Sequence, residues 1–162
     1  MANIIFAPEI KNVMNRMGAY LKTLLAKFYG RWFNLVAIFS PAAAAQLAFN
    51  TFAKVRKGRV QPRQQAFLDE AKHSQEEVDG NIIQTYQWAG HGPRVLLIHG
   101  WESNSFRWRN LIAILREAGF HVIAFDAPAH GYSTGKILHV PMYTECVEHM
   151  VKTFDPKYII GH

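Results

Sequence analysis

The 162-residue chain has a single cysteine, Cys146, so no internal disulfide framework is available to it and a reducing compartment is expected. Acidic residues are nearly absent from the first part. Residues 1–68 hold ten Lys or Arg and only Glu9 as an acid, a net charge of +9. Residues 69–162 hold eight bases and eleven acids, a net charge of −3. No glycine-rich dinucleotide fingerprint and no phosphate-loop pattern follows any strand-like run, which removes the two commonest nucleotide-binding arrangements. Collagen-like, coiled-coil and Cys/His metal compositions are missing too. His73, His91, His121 and His149 form no ligand spacing, and no metal site is expected. Zinc-finger, helix-turn-helix and RNA-binding signatures are also lacking, so nucleic acid is not an expected partner.

What is present is an apolar content of 49%, enough to build a packed core and too much for a disordered chain. The charge change near Pro62 suggests two parts, a basic helical segment over 1–68 and an α/β part over 80–162. In the first part, Ile10, Val13, Met14, Met17, Leu21, Leu24, Leu25 and Phe28 recur at spacings of three and four. Lys11, Asn15, Arg16, Lys22 and Lys27 take the other face. This spacing predicts an amphipathic helix, with Gly30 as its expected end. Ser40-Pro41 then supplies an N-cap and a proline at the first helical position. A second helix is expected through the alanines to Val55, with Gly58 as its stop.

Residues 32–53 carry no charge. Their 22 positions equal a bilayer span, but Asn34, Ser40, Pro41, Gln46 and Asn50 argue against a spanning helix. The amphipathic stretch before them is too long for a signal peptide. The two helices are expected to cover the following domain or to lie on an anionic membrane surface through residues 10–58. The expected location is cytoplasmic, with membrane association as the alternative.

The second part reads differently. Ile82, Ile83, Tyr86 and Trp88 mark a strand before the turn cluster Gly90-His91-Gly92-Pro93. Residues 94–98 and 121–125 are continuous apolar runs, as strands buried on both faces should be. Residues 106–117 and 142–154 read as helices. Leu111, Ile114 and Leu115 share one side of the first, and Gly119 stands at its end. Residues 157–160 form a third strand. Strand–helix–strand–helix–strand with short links implies parallel strands, whose carboxyl ends gather function. Cys146 reads as a small core residue on the second helix.

The loops at those carboxyl ends hold the least generic residues. They are Val95-Leu96-Leu97-Ile98-His99-Gly100-Trp101, then Phe125-Asp126-Ala127-Pro128-Ala129-His130-Gly131-Tyr132-Ser133, then Tyr158-Ile159-Ile160-Gly161-His162. In this order and spacing they resemble the α/β-hydrolase family, in its serine-hydrolase-like branch. The resemblance covers residues 80–162, and the fold it implies is a partial α/β-hydrolase fold preceded by the amphipathic helical segment.

The resemblance implies that His99-Gly100 opens a turn and that the Trp101 main-chain N–H is one oxyanion-hole donor. It makes Asp126, Pro128, His130, Gly131 and Ser133 an architectural loop, with Asp126 holding backbone N–H groups rather than serving as the triad acid. Ala129 stands where the family usually has glycine. Ser133 is expected to be a turn residue, since nothing around it forms a strand-to-helix elbow. His139 is expected to be a loop residue. Gly161-His162 matches the first half of a nucleophile elbow, so the nucleophile is expected directly after His162 and the acid and base later still. The 162 residues alone are therefore expected to be catalytically incompetent, and the third strand, central in a full sheet, to leave an apolar edge bare. The same Gly-His precedes Ser in esterases, lipases and peptidases, and Asp in epoxide hydrolases and dehalogenases. Glu102 stands where many of the latter carry a proline after His-Gly-X, which favours Ser and an ester-like small-molecule substrate. No cofactor is implied.

Overall fold

The computed structural model describes residues 8–162, with side chains from residue 12 onward. Ile10 and Lys11, assigned above to opposite helix faces, lie outside the described side chains. Chain contacts divide the protein into two units, Met1–Thr51 and Phe52–His162. The charge changes near Pro62 and the packing divides ten residues earlier, so residues 52–68 are basic in composition yet belong to the sheet-bearing unit.

In the first unit, α1 runs from Pro8 to Phe39. The helix passes through Gly30, contrary to the expected stop there. A glycine in a helix interior costs only about 1 kcal/mol against alanine, which a 32-residue helix absorbs. The break comes at Pro41, which has no N–H to donate and whose ring crowds the preceding turn. The Ser40 N–H closes α1 on the Val36 carbonyl at 2.9 Å. Its hydroxyl then accepts the Ala43 N–H at 3.2 Å, capping α2 (Pro41–Ala53) as the sequence predicts. The second helix ends before Val55 and well before Gly58. Lys54 instead bridges Ile137, and the Ala53 carbonyl accepts the Leu138 N–H at 2.8 Å, so tertiary pairing stops the helix. Among the described residues no helix is long and apolar enough to cross a membrane.

The second unit is a five-stranded mixed sheet in the order β1-β2-β4-β3-β5. Its strands are β1 (Lys72–Val78), β2 (Asn81–Trp88), β3 (Arg94–Ile98), β4 (His121–Phe125) and β5 (Tyr158–Gly161). Strand β2 is antiparallel to β1 and β4, while β3 is parallel to β4 and β5. The three parallel strands are those expected from the apolar runs, with α4 (Arg109–Glu117) and α5 (Val140–Phe154) as crossovers. A 3-10 turn, Ser105–Trp108, leads into α4, and a short helix α3 (Pro62–Leu68) precedes β1.

Alternation along the strands fills two cores. Tyr86, Trp88, Val95, Leu97, Val122 and Ala124 face Leu68 of α3 and Ile112 of α4. Ile83, Leu96, Ile123 and Phe125 face Cys146 and Met150 of α5. Both faces being covered explains why β3 and β4 are apolar throughout. Cys146 is fully buried, as expected, and burial pushes its thiol up to about 11. One residue of α4 departs from expectation. Ile114 is exposed, and Ile112 takes the core position between Leu111 and Leu115. Strand β5 is an edge of this sheet, with Tyr158 and Ile159 half exposed.

Candidate active site

The three loops singled out by sequence leave the carboxyl ends of the three adjacent parallel strands. Register places Ile98 of β3 between Phe125 of β4 and Gly161 of β5, so the segments after them start side by side. The His162 N–H donates to the Ile98 carbonyl at 3.1 Å, which draws the third loop onto the first. A Cβ on Gly100 would lie 2.7 Å from the His162 carbonyl oxygen, so glycine is required for the approach of these two loops.

Two buried histidines bind the first and second loops to each other in opposite directions. His99, in the first, accepts the Ala127 N–H at Nε2 (3.0 Å), and its Nδ1 faces the Gly100 carbonyl at 2.8 Å. His130, in the second, accepts the Glu102 N–H at Nε2 (2.9 Å), and its Nδ1 faces the Pro128 carbonyl at 2.9 Å. A ring nitrogen that receives an amide N–H cannot itself carry a proton. Each ring is therefore neutral with its proton on Nδ1, donated to a carbonyl. Desolvation by burial lowers the pKa of both rings, in keeping with neutral imidazoles. The rings stand 5.3 Å apart. The Tyr143 hydroxyl from α5 donates to the His99 carbonyl at 2.5 Å, a third tie on the same turn.

This clamp fixes the turn 99–102. Glu102 is held at φ 50°, a left-handed conformation costly for a residue with a Cβ. Its amide is spent on His130, and its Oε1 accepts the Arg56 N–H at 3.2 Å. Among the described residues no acceptor is paired with the Trp101 N–H, and the Trp101 side chain is half exposed.

Asp126 organises the second loop from a fully buried position. Its Oδ1 accepts the Ser105 N–H (2.9 Å) and hydroxyl (2.8 Å). Its Oδ2 accepts the Tyr86 hydroxyl (2.7 Å) and the Tyr132 N–H (3.0 Å). Burial, with Asp126 beside it, holds the Tyr86 phenol far above its ordinary pKa, so it is always a donor here. A Cβ on Gly131 (φ 46°) would fall 1.8 Å from Asp126 Oδ2, so any other residue there must displace the Asp126 carboxylate. Ala129 sits at φ 65°, a conformation glycine adopts without cost. Ser133 is buried. Its hydroxyl donates to the Asp126 carbonyl at 2.5 Å and accepts the Gln84 N–H at 2.9 Å, so it is committed to the turn on both sides. His139 caps α5 by accepting the Met142 N–H at 3.3 Å.

Several residues that build this site carry no sequence signal. Arg59, read only as one of a basic run, donates to the carbonyls of Gly131 (3.3 Å), Ser133 (2.6 Å) and Gly135 (3.4 Å). Asn104 donates to the Gly58 carbonyl at 3.1 Å, and that oxygen also accepts the Gly131 N–H at 2.9 Å. Gly58, at φ 97°, is thus a close-approach glycine, its missing Cβ leaving room for the His130 ring. Arg107 hydrogen-bonds the His162 ring. All these partners are 28 or more positions apart in sequence.

A family model described as the alpha/beta hydrolase fold matches residues 93–162. Among curated relatives, an esterase of Mycobacterium tuberculosis is 36% identical over 58 residues, covering 36% of this chain and 18% of its own. A phospholipase of Bacillus subtilis is 29% identical over 75 residues, covering 42% of this chain and 29% of its own. Among solved structures, an epoxide hydrolase of Vigna radiata superposes with a TM-score of 0.52 at 21% identity, over 59% of this chain and 32% of that one. The chain therefore spans less than a third of the length of these curated relatives, and the structural likeness is one of fold.

Proposed function

We infer, from the match of residues 93–162 to the alpha/beta hydrolase fold model, that the whole protein hydrolyses a carboxylic-ester-type bond in a small-molecule substrate. In this reading Trp101 contributes a main-chain N–H to the oxyanion hole and its indole shapes the pocket wall. A nucleophile directly after His162 attacks the ester carbonyl. The new bond forms as the carbonyl electrons move onto oxygen, and the Trp101 N–H meets that charge. The alcohol leaves with a proton, and water then releases the acid from the acyl-enzyme. The acid and base of the triad, the second oxyanion donor and most pocket residues belong to later parts of the protein.

The observation that carries this reading is the pair of opposed histidine clamps. They spend the Glu102 amide and hold the turn, and among the described residues no acceptor is paired with the Trp101 N–H. Such preorganisation is what an oxyanion donor needs, and removing one such donor costs about 10²–10³ in kcat. Glu102, in place of a proline, favours serine over aspartate as the nucleophile. The test is an ester panel run on the complete protein and on these 162 residues. The complete protein should give an acyl-enzyme burst with a 4-nitrophenyl ester, and the 162 residues none. Turnover of epoxides without turnover of esters would overturn the assignment.

A second reading concerns α1 and is independent of the first: the N-terminal segment holds the protein on an anionic membrane surface. It is favoured by a broad apolar face, exposed along the helix from Val13, Met17 and Leu21 through Leu24 and Phe28 to Leu35. Arg16, Lys22 and Lys27 flank that face, and no acid lies between Glu9 and Asp69. Sedimentation with phosphatidylglycerol vesicles, lost in high salt and absent with neutral lipid, is the expected result. Lack of binding at low salt would refute it.

A further inference from the structure

Beside the oxyanion turn lies a groove of about 880 Å³ whose charge the hydrolase reading does not use. Two separate stretches of chain form its walls, 56–64 and 102–109. Arg56, Lys57, Arg59, Arg63, Arg107 and Arg109 line it, and Glu102 is its one acid, so the lining carries a net +5. The bias is local. The sheet-bearing unit has 13 Lys or Arg and eleven acids, and the groove takes six of the former and one of the latter. Gathering like charge on one concave surface opposes folding unless something offsets it, and a concave wall focuses the resulting field.

The walls are built rather than loose. Arg59 is anchored on three carbonyls of the second loop. Asn104 ties the Gly58 carbonyl and the Gln64 side chain (3.1 Å) across the groove. Gln61 and Gln64 close a capping box at the start of α3. Arg109 is seated over the Phe106 ring at 4.8 Å. Lys57 and Arg63 point no salt bridge at any acid among the described residues. At one end Glu102 and Ser103 follow Trp101 directly, and Arg107 reaches His162.

We propose that this groove binds a phosphate group carried by the substrate, so that the scissile ester is presented to the Trp101 turn from a phosphate-anchored end. The proposal rests on the hydrolase reading for its link to catalysis, but phosphate binding itself does not. Guanidinium-rich walls suit a dianion with three acceptor oxygens better than a single carboxylate. Substrates of this class are phosphoesters that also bear an acyl ester, whether free in solution or displayed as a lipid headgroup.

The test is calorimetric titration of the full 162-residue chain with inorganic phosphate and with glycerol 3-phosphate. Saturable binding of one phosphate per chain is expected. Arg63 and Arg109 are exposed and Arg109 loses only its contact with the Phe106 ring, so the double variant R63A/R109A should keep the parent circular dichroism and a cooperative melt a few degrees lower at most. It should lose about tenfold in affinity at physiological salt, since a cation about 6 Å from a dianion in water gives about tenfold, which screening cuts to roughly threefold for each of the two. The variant K22A/K27A on α1 should bind phosphate as the parent does. No saturable binding, affinity unmoved in R63A/R109A, or a loss in K22A/K27A instead would each overturn the proposal. Competition between free phosphate and phosphatidic acid vesicles in the K22A/K27A background assigns the headgroup as the source. Phosphate binding without such competition assigns a soluble phosphoester. If the complete protein fails to turn over esters while phosphate binds, the hydrolase reading falls and the anion site stands. The reverse result removes only the anion site.

Discussion

Replacing Asp126 by asparagine changes one oxygen into an amide NH2 and almost nothing in volume. Asp126 accepts four donors, two at each oxygen. If the new NH2 takes the Oδ1 place, the Ser105 hydroxyl can rotate to accept, but the Ser105 N–H cannot. If it takes the Oδ2 place, the Tyr86 hydroxyl can turn, but the Tyr132 N–H cannot. Either way one main-chain N–H faces another donor without water to replace the lost acceptor. Leaving a buried group unpaired costs about 1–3 kcal/mol, and charge-assisted bonds to the carboxylate are lost besides. D126N should therefore lower unfolding stability by about 2–4 kcal/mol. Y86F removes one donor and leaves three, and should cost about 1–2 kcal/mol. Urea denaturation of the 162-residue chain measures both. A cost for D126N below about 0.5 kcal/mol, the level of an ordinary surface change, would refute the account of Asp126 as the hub of the second loop.

The glycine-like positions of that loop make opposite predictions. A129G should stabilise by up to about 1 kcal/mol, since the left-handed penalty of 1–2 kcal/mol outweighs the added chain entropy of glycine. G131A, whose Cβ would overlap the Asp126 carboxylate, should cost more than about 3 kcal/mol or prevent folding, and thermal unfolding separates the two cases. His99 and His130 have folded pKa values below their ordinary 6.5, so the unfolded chain binds protons first as pH falls. The stability they confer is complete above about pH 6.5 and declines below it toward their folded pKa values, by up to about 1.4 kcal/mol per pH unit for each ring. Denaturation curves at pH 7.5, 6.5 and 5.5 should follow that sign, and a chain more stable at pH 5.5 would contradict the neutral clamps. Cys146, buried and raised to about 11, should react with a disulfide reagent at pH 8 only as fast as the fold opens.

The parallel core was legible because its strands are apolar on both faces. Residues 94–98 and 121–125 announce burial by composition alone, and the loops after them carry their own motifs. Strand β1 gave no such signal. Lys-His-Ser-Gln-Glu-Glu-Val is polar because it is an edge strand with only Val78 buried, and it is a strand because β2 pairs with it. Neither Gly30 nor Gly58 ends the helix before it, and the reasons differ. One glycine is too weak a perturbation to end a long helix. The other serves a close approach to His130 that no local pattern reveals. In the candidate site the residue types were readable and the connections were not. His99 and His130 stand out in the sequence, but that each is tied to the other's loop is a tertiary fact. Arg59 looked like one charge in a basic run, whereas its guanidinium is a strut under residues 131–135. The basic charge of residues 54–63 thus divides between holding the second loop and lining the groove.

The central proposal is that the turn at Trp101 and His162, which follows β5, are two sides of one serine-hydrolase site. The measurement that reaches it most directly is labelling of the complete protein with a fluorophosphonate, followed by peptide mass mapping. The account predicts one adduct, on a serine directly after His162, and a much slower adduct after a change that removes the Trp101 N–H. An aspartate at that position, or an adduct confined to any other residue, would contradict it.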